Sequence, residues 1–365
     1  SASNEDALTD QSRQSFAKGI TARLVMALLI VLWVSPNIFI YVQLVTPIPI
    51  PKQPDDNSGW ESLTSAGIEA ETSPYIDLLE RGVAPTQTEL TEAVNALSPV
   101  YVLLDLGLNN PIKVPIDYTE IFVFGEDFHN QQAIVKALKI RGRLAEEEER
   151  FGDAADCYLQ AIRLGFAARH GGYVLQQIGG SAVASSGMAA AYRLRNFVPI
   201  PESVRIIDAL SNVRPDLESV EVILHRERIG GQRNVGWPGH LAQILDELRE
   251  EPESAMAASV LFERRNQELT ELRLLQLEFA VRAFRLEKGR LPQSLTELVP
   301  KYLSAIPADP FSANHDPLKY LLTENGYRLY SVSKDGVDDR GEMSTWEGQL
   351  SDLGDFQLEI RYYDE

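Results

Sequence analysis

The sequence predicts a mainly α-helical protein with an N-terminal transmembrane helix, a central helical domain and a small α+β module at its C terminus. Three observations support this fold class. Residues 24–45 carry no charge, apolar residues recur at helical spacing through most of residues 60–288, and an Asn-Gly pair separates two strand-like runs near residue 325. The predicted segments are a cytoplasmic tail (1–23), the transmembrane helix (24–45), a Pro-rich linker (46–59), the helical domain (60–262) and the C-terminal module (263–365).

The transmembrane helix is predicted from length and lack of charge. Residues 24–45 are 22 residues, which as a helix span about 33 Å, enough to cross a hydrocarbon core of about 30 Å. We expect Pro36 to kink this helix. A cleaved signal peptide is disfavoured because the apolar run is too long, and a lipoprotein signal because no cysteine follows. A buried helix of a globular domain is the remaining alternative.

The flanking charges predict the orientation of this helix. Arg13, Lys18 and Arg23 precede it, whereas only Lys52 follows closely. Positive residues are retained in the cytoplasm. The sequence therefore predicts a single-pass protein of the inner (cytoplasmic) membrane, with the N terminus in the cytoplasm, the C-terminal domain in the periplasm, and the lipid bilayer as the partner of residues 24–45.

Residues 130–169 predict two helices joined by a short turn. Small and aromatic residues occupy the positions where the two helices would cross: Leu138, Gly142, Phe151, Ala154, Tyr158 and Ala161. This spacing resembles a single tetratricopeptide repeat, with departures at Arg141, Ala145 and Phe166. The resemblance implies a peptide-binding groove. A plain helical hairpin is the favoured alternative, because no second copy follows and such grooves need stacked repeats.

Further helices are predicted after this hairpin, and two of them have distinctive patterns. Residues 173–194 are rich in Gly, Ala and Ser, which predicts a helix that neighbours approach closely, because glycine otherwise weakens a helix. Residues 255–288 predict the longest helix, with an apolar stripe interrupted by Gln276.

The C-terminal module begins after this long helix. Turn-rich motifs follow one another in a fixed order: Leu291-Pro292, Tyr302-Leu303, Ile306-Pro307-Ala308-Asp309-Pro310 and Lys334-Asp335-Gly336. This order resembles the globular module of the major pseudopilin of type II secretion systems over about residues 270–340. A prepilin signal does not precede the module directly, so the resemblance implies the module and not pilus building. The whole layout is similar to that of single-span bacterial envelope proteins.

The loop at residues 335–342 is the candidate metal site. Four carboxylates lie within eight residues that also include two glycines, and such oxygen-rich loops suit calcium. Major pseudopilins bind calcium in the corresponding loop, so the resemblance implies the same for Asp335, which matches their Asp-Gly motif. We predict a calcium site at Asp335, Asp338 and Asp339. The alternative is a solvated acidic loop, since residues 331–365 hold 10 acidic and 3 basic residues.

Composition and motifs limit the function. The chain has 34 basic and 53 acidic residues, a net charge of −19, which argues against nucleic-acid partners. The single cysteine, Cys157, excludes intramolecular disulfides and multi-cysteine metal sites. No Gly-x-Ser-x-Gly, P-loop or His-Glu-x-x-His motif is present.

The predicted function is that of a membrane-anchored extracytoplasmic scaffold or protein-interaction protein of the bacterial cell envelope. Other envelope proteins are its expected partners, and secretion is a candidate process. The alternative is a hydrolase-like envelope enzyme with a site assembled from dispersed residues such as Glu221, His225 and His240. A deep pocket that holds two or more of these side chains would favour the enzyme.

Overall fold

The structure is a computed structural model that describes residues 26, 31, 33–35, 38, 41–42, 46, 48–52, 56–118, 125–213, 218–247, 249, 253–346 and 349–358. This part of the chain is mainly helical. In chain order its elements are α1 (Ser58–Glu71), a 3₁₀ helix (Leu78–Glu80), α2 (Gln87–Ala96), α3 (Ser98–Leu108), α4 (Gly125–Glu147), α5 (Phe151–Ala167), α6 (Val174–Leu194), α7 (Ile200–Asn212), α8 (Val220–Val235), α9 (Trp237–Glu247), α10 (Glu253–Lys288), a second 3₁₀ helix (Leu295–Leu298), β1 (Lys319–Thr323), β2 (Gly326–Tyr330), β3 (Met343–Trp346) and β4 (Gln349–Gly354).

The chain divides into two compact units. The first comprises Ser1–Ile50 and Arg228–Arg249, and the second comprises Pro51–Glu227 and Glu250–Glu365. Helix α8 therefore contributes its last turns to the first unit, which also contains α9. The other helices and the strands belong to the second unit.

Helices α4, α5 and α6 form the centre of the second unit. A Cβ atom added at Gly142 would lie 2.5 Å from the Tyr158 ring, so the two helices of the predicted hairpin cross closely there. A Cβ at Gly165 would lie 2.4 Å from the backbone nitrogen of Ala184, and one at Gly187 only 2.8 Å from another backbone nitrogen. Glycine thus lets α5 and α6 meet backbone to backbone, and the predicted close packing of residues 173–194 is confirmed.

Helix α10 is the long helix expected at residues 255–288, and it carries buried carboxylates. Each of three accepts a hydrogen bond from a different part of the second unit: Glu268 from Arg169 (2.8 and 3.1 Å), Glu271 from Ser185 (2.8 Å) and Glu278 from the Tyr327 hydroxyl (2.8 Å). The Arg169–Glu268 pair is almost inaccessible to solvent. Burial raises the pKa of Glu268, and the facing Arg169 guanidinium opposes that rise.

The predicted β-hairpin is present in the C-terminal part. Strands β1 and β2 pair antiparallel, with Thr323 opposite Gly326, so Glu324 and Asn325 form the two-residue loop. Beyond the hairpin, Ser331 and Phe356 exchange both backbone hydrogen bonds, at 3.0 and 2.9 Å. This pairing brings the end of the described chain beside β2. The alternation of residues 356–363 also predicts a strand there, and residues 359–363 lie outside the described residues.

The predicted fold class is wrong in its transmembrane helix at residues 24–45, most of which lie outside the described residues. Among the residues that the structure does describe, no helix combines the length and the apolar character needed to cross a membrane. The sequence offers a physical reason, because Ser35-Pro36-Asn37 interrupts the apolar run. Its unbroken part, residues 24–34, would form about 17 Å of helix against a core of about 30 Å. The predicted localisation, as a single-pass protein of the inner membrane, is wrong for the same reason.

Candidate functional site

A groove in the second unit runs between α4 and α6, with the 3₁₀ helix at Leu78–Glu80 along one side. Its cavity volume is 560 Å³. Apolar side chains form much of its lining: Ile76, Leu79, Phe128, Val135, Ala182 and Val183. Val135 and Val183 are buried, so they form the floor, whereas Leu79 is partly exposed at the edge.

Helical spacing places the groove residues on facing stripes. On α4, Val135, Lys136 and Lys139 fall on one face, since side chains three and four residues apart are neighbours. On α6, Val183 and Ser186 are three residues apart, and Arg193 lies seven residues after Ser186, about two turns further along the same face. Helix α5 packs against both α4 and α6, so it supports the two stripes.

Cations dominate the charge of the groove. Lys136, Lys139 and Arg193 line it, together with the single carboxylate of Glu80. The Lys136 ammonium group donates to Asp77 at 2.7 Å and to Glu80 at 2.9 Å. Both hydrogen bonds raise the pKa of Lys136, and the one to Asp77 has the larger effect. Because Lys136 is paired with two carboxylates, the positive charge of this lining comes from Lys139 and Arg193, in a chain with a net charge of −19.

The sequence analysis missed this groove as a site. Its helices were predicted, but Arg193 is more than 50 residues from Lys136 and Lys139 in the sequence. Only the packing of α6 against α5 brings Arg193 to the same groove. The sequence did contain one indication of a binding groove. Lys136 and Lys139 lie three residues apart, beside the apolar face of α4.

The predicted calcium ligands lie in the loop that follows β2, and all three are exposed. The Asp335 carboxylate accepts backbone hydrogen bonds from Val337 at 3.0 Å and from Gly354 at 3.1 Å. Asp338 accepts from the Tyr330 hydroxyl at 3.0 Å. Among the described residues, no group of three or more His, Cys, Asp or Glu side chains is arranged to hold a metal ion. The calcium site at Asp335, Asp338 and Asp339 stays a prediction.

Asp355 is a carboxylate near this loop that the sequence analysis did not select. Its side chain is only 1% exposed. One oxygen, Oδ2, accepts from the Gly341 amide at 2.6 Å, while Oδ1 is buried with no hydrogen-bond partner in the described structure. Burial, and then the negative charges of Asp338 and Asp339, raise the pKa of Asp355 to about 6. No local motif marks this residue, because the Ser331–Phe356 pairing places it there.

The residues of the enzyme alternative belong to different units, Glu221 and His225 to the second and His240 to the first. Glu221 and His225 lie one turn apart on α8 and are exposed. His240 lies on α9, where its Nδ1 is 3.0 Å from the Gln232 amide nitrogen. Three grooves of the second unit have their lining residues described, and neither Glu221 nor His225 is among them.

No family model matches the chain, and neither the curated proteins nor the solved structures include a significant match. The tetratricopeptide and pseudopilin resemblances therefore stay predictions. The proposals below therefore rest on the side chains of the groove and of the acidic loop.

Proposed function

We propose that this chain is a protein-interaction protein that binds an extended, acidic peptide segment in the groove between α4 and α6. The observation that carries the proposal is the combination of an apolar floor with three lining cations in a strongly acidic chain. A protein with such a groove acts as a scaffold, because it can hold the acidic segment of another protein in a larger assembly.

An extended peptide segment can contact both the apolar floor and the cations of the groove. Successive side chains of an extended chain point to opposite faces. Apolar side chains of the ligand can therefore pack toward the floor at Val135 and Val183, while the alternate carboxylates point outward to the rim, where the exposed Arg193 can reach them. A segment with alternating apolar and acidic residues satisfies both surfaces at once.

The charges of the groove determine which segments bind more than they determine how tightly a segment binds. Arg193 is exposed, and exposed ion pairs contribute about 0.2–1 kcal/mol each. Most of the affinity must come from the apolar contacts. The positive lining then raises the association rate for acidic segments and disfavours basic ones.

The test is fluorescence anisotropy with a labelled short peptide in which Leu and Glu alternate. A matched peptide with Lys in place of Glu measures charge selectivity. We expect saturable binding of the Glu peptide, weakened by added salt, and much weaker binding of the Lys peptide. Equal binding of the two peptides, or no saturable binding of either, contradicts the proposal.

Charge reversal at the groove locates the binding site. Arg193→Glu replaces an attraction with a repulsion of similar size, about 0.4–2 kcal/mol in total, so affinity should fall roughly 2- to 30-fold. The matched control is Arg163→Glu, because Arg163 is an exposed arginine of α5 that does not line the groove. An equal loss in the two variants would show that only the net charge matters.

A second proposal concerns the loop that follows β2. In the described structure these carboxylates are not arranged as a metal site, and we propose that Asp338, Asp339 and Asp355 come together around a calcium ion when it binds, which would stabilise the C-terminal module. The unpartnered, buried Oδ1 of Asp355 supports this, because a hard cation would satisfy it and offset the repulsion among the carboxylates. Millimolar calcium should raise the melting temperature of the full chain, and Asp355→Asn should lose that response. An unchanged melting temperature in the unsubstituted chain contradicts the proposal.

A further inference from the structure

A different groove of the second unit lies between α7, α10 and the chain segment at residues 302–307. We call it the α7–α10 groove. Its cavity volume is 650 Å³, within the range of about 300–1,000 Å³ that is typical of small-molecule sites. Its floor is apolar, because Ile207, Leu210, Leu272 and Leu303 line it and are all buried. A floor of this kind favours a ligand with an apolar part.

Gln276 joins the two helices that form the walls of this groove. It is the residue that interrupts the apolar stripe of α10, and it is only 7% exposed. Its Nε2 donates to the Ser211 hydroxyl of α7 at 3.2 Å. This polar side chain therefore serves the packing of α7 against α10, and the groove is held open at a fixed width.

Arg273 is the one cation among the described residues that line the α7–α10 groove. The side chain is half-buried, and its Nη1 donates to the Ala308 carbonyl at 2.7 Å. In the described part of the chain it forms no other hydrogen bond and no ion pair. A guanidinium group carries five N–H donors, so the edge formed by Nε and Nη2 remains available to a ligand.

The carboxylate that acts electrostatically on Arg273 is bound to other groups. Burial lowers the pKa of Arg273, and the negative charge of Asp309 opposes this change. One oxygen of Asp309 accepts from the Ser331 hydroxyl at 2.7 Å and from the Phe311 amide at 3.0 Å. The other accepts from the Val332 amide at 2.9 Å. Arg273 therefore lines an apolar groove without a directly bound counter-ion, which is unfavourable for a half-buried charge.

We propose that the α7–α10 groove binds a monocarboxylic acid with an apolar tail. The ligand carboxylate accepts two parallel hydrogen bonds from the free edge of Arg273, which is the geometry that arginine and carboxylate groups favour. The tail packs on Ile207 and Leu272, where it leaves water. The ligand thus supplies the missing counter-ion and covers the apolar floor.

The acidic residue of this groove limits the ligand to one carboxylate. Asp208 of α7 lines the groove and is exposed, so it repels any further negative charge on the ligand. A segment with several carboxylates would also place some of them against the apolar floor, where burial of a charge is costly. This groove and the groove between α4 and α6 therefore select different ligands.

The test is an NMR titration of the full chain, methyl-labelled at Ile, Leu and Val, with decanoate at pH 7.5. Two comparison ligands separate the contributions: decylammonium has the same tail and the opposite charge, and acetate has the carboxylate without a long tail. We expect saturable shifts of the Ile207 and Leu272 methyl signals with decanoate, and much weaker binding of the other two. No saturable shift at these methyls, or equal affinity for decanoate and decylammonium, overturns the proposal.

Two variants and one control test the role of Arg273. Arg273→Gln should weaken decanoate binding roughly 10- to 150-fold, because it removes hydrogen bonds between charged groups. The control is Arg282→Gln, since Arg282 is also a half-buried arginine of α10 that donates to a backbone carbonyl, that of Asn196, but does not line this groove. Its affinity for decanoate should be unchanged.

Asp208→Asn changes the charge at an exposed position, so it tests the proposal even where Arg273→Gln does not fold. Removal of this repulsion should tighten decanoate binding, by up to about fivefold. Weaker binding in Asp208→Asn, or equal losses in Arg273→Gln and Arg282→Gln, overturns the proposal.

Discussion

Asp355 makes stability depend on pH in a direction opposite to that of most carboxylates. Its pKa is about 6 in the folded chain, against an ordinary value of 3.8. The folded state therefore holds the proton more tightly than the unfolded state, and stability falls as the pH rises from about 4 to about 6. The shift of about two units corresponds to roughly 3 kcal/mol. Above pH 6 this whole cost is present.

Substitution of Asp355 by Asn removes the charge and keeps an acceptor for the Gly341 amide. Because a neutral acceptor binds that amide less strongly than a carboxylate, we expect a net stabilisation of about 2 kcal/mol at pH 7.5 without calcium. At pH 3.5, where Asp355 is protonated in the folded state and mostly protonated in the unfolded state, Asn and Asp should differ much less.

Native-state hydrogen exchange is the suitable assay for this prediction. The amides of Ser331 and Phe356 bond to each other's carbonyls beside Asp355, so their protection reports opening of this part of the module. At pH 7.5 and with calcium chelated, Asp355→Asn should raise their opening free energy. An equal or lower opening free energy in the variant would refute the reasoning, as would the same gain at pH 3.5.

Two further predictions concern the core of the second unit and are measured by urea unfolding. Gly165→Ala should lower the free energy of unfolding by about 1–3 kcal/mol, because the new Cβ would meet the backbone of α6 at 2.4 Å. The control, Gly125→Ala, should be neutral because nothing lies within 4 Å of its new Cβ. Equal effects would contradict the close packing of α5 and α6. Glu268→Gln should cost about 3–5 kcal/mol because it leaves Arg169 buried without a charged partner, whereas Glu148→Gln at an exposed pair should change stability by less than about 1 kcal/mol.

Local patterns in the sequence were sufficient for much of the helical architecture. The helical hairpin at residues 130–169, the small-residue helix and the long helix depend on spacing within one segment, and each lies where it was expected. The β-hairpin near Asn325 was also local, although Gly326 begins β2 and does not lie in the loop. Short-range periodicity and turn chemistry determine such elements.

Features that depend on distant parts of the chain were not predictable. Lys139 and Arg193 meet at one groove only because α6 packs on α5, and Asp355 reaches the acidic loop only through the pairing of Ser331 with Phe356. The transmembrane prediction failed for a different reason. A count of uncharged residues gave too little weight to Ser35, Pro36 and Asn37, which interrupt the apolar run.

The most direct test of the central claim is NMR mapping with methyl-labelled protein and the alternating Leu–Glu peptide. If the segment binds between α4 and α6, the methyl signals of Val135 and Val183 should shift with the same saturation curve as the anisotropy. Those of Ile207 and Leu272, which line a different groove, should stay unchanged. Shifts confined to Ile207 and Leu272, or saturable binding without any shift at Val135 and Val183, would contradict the account.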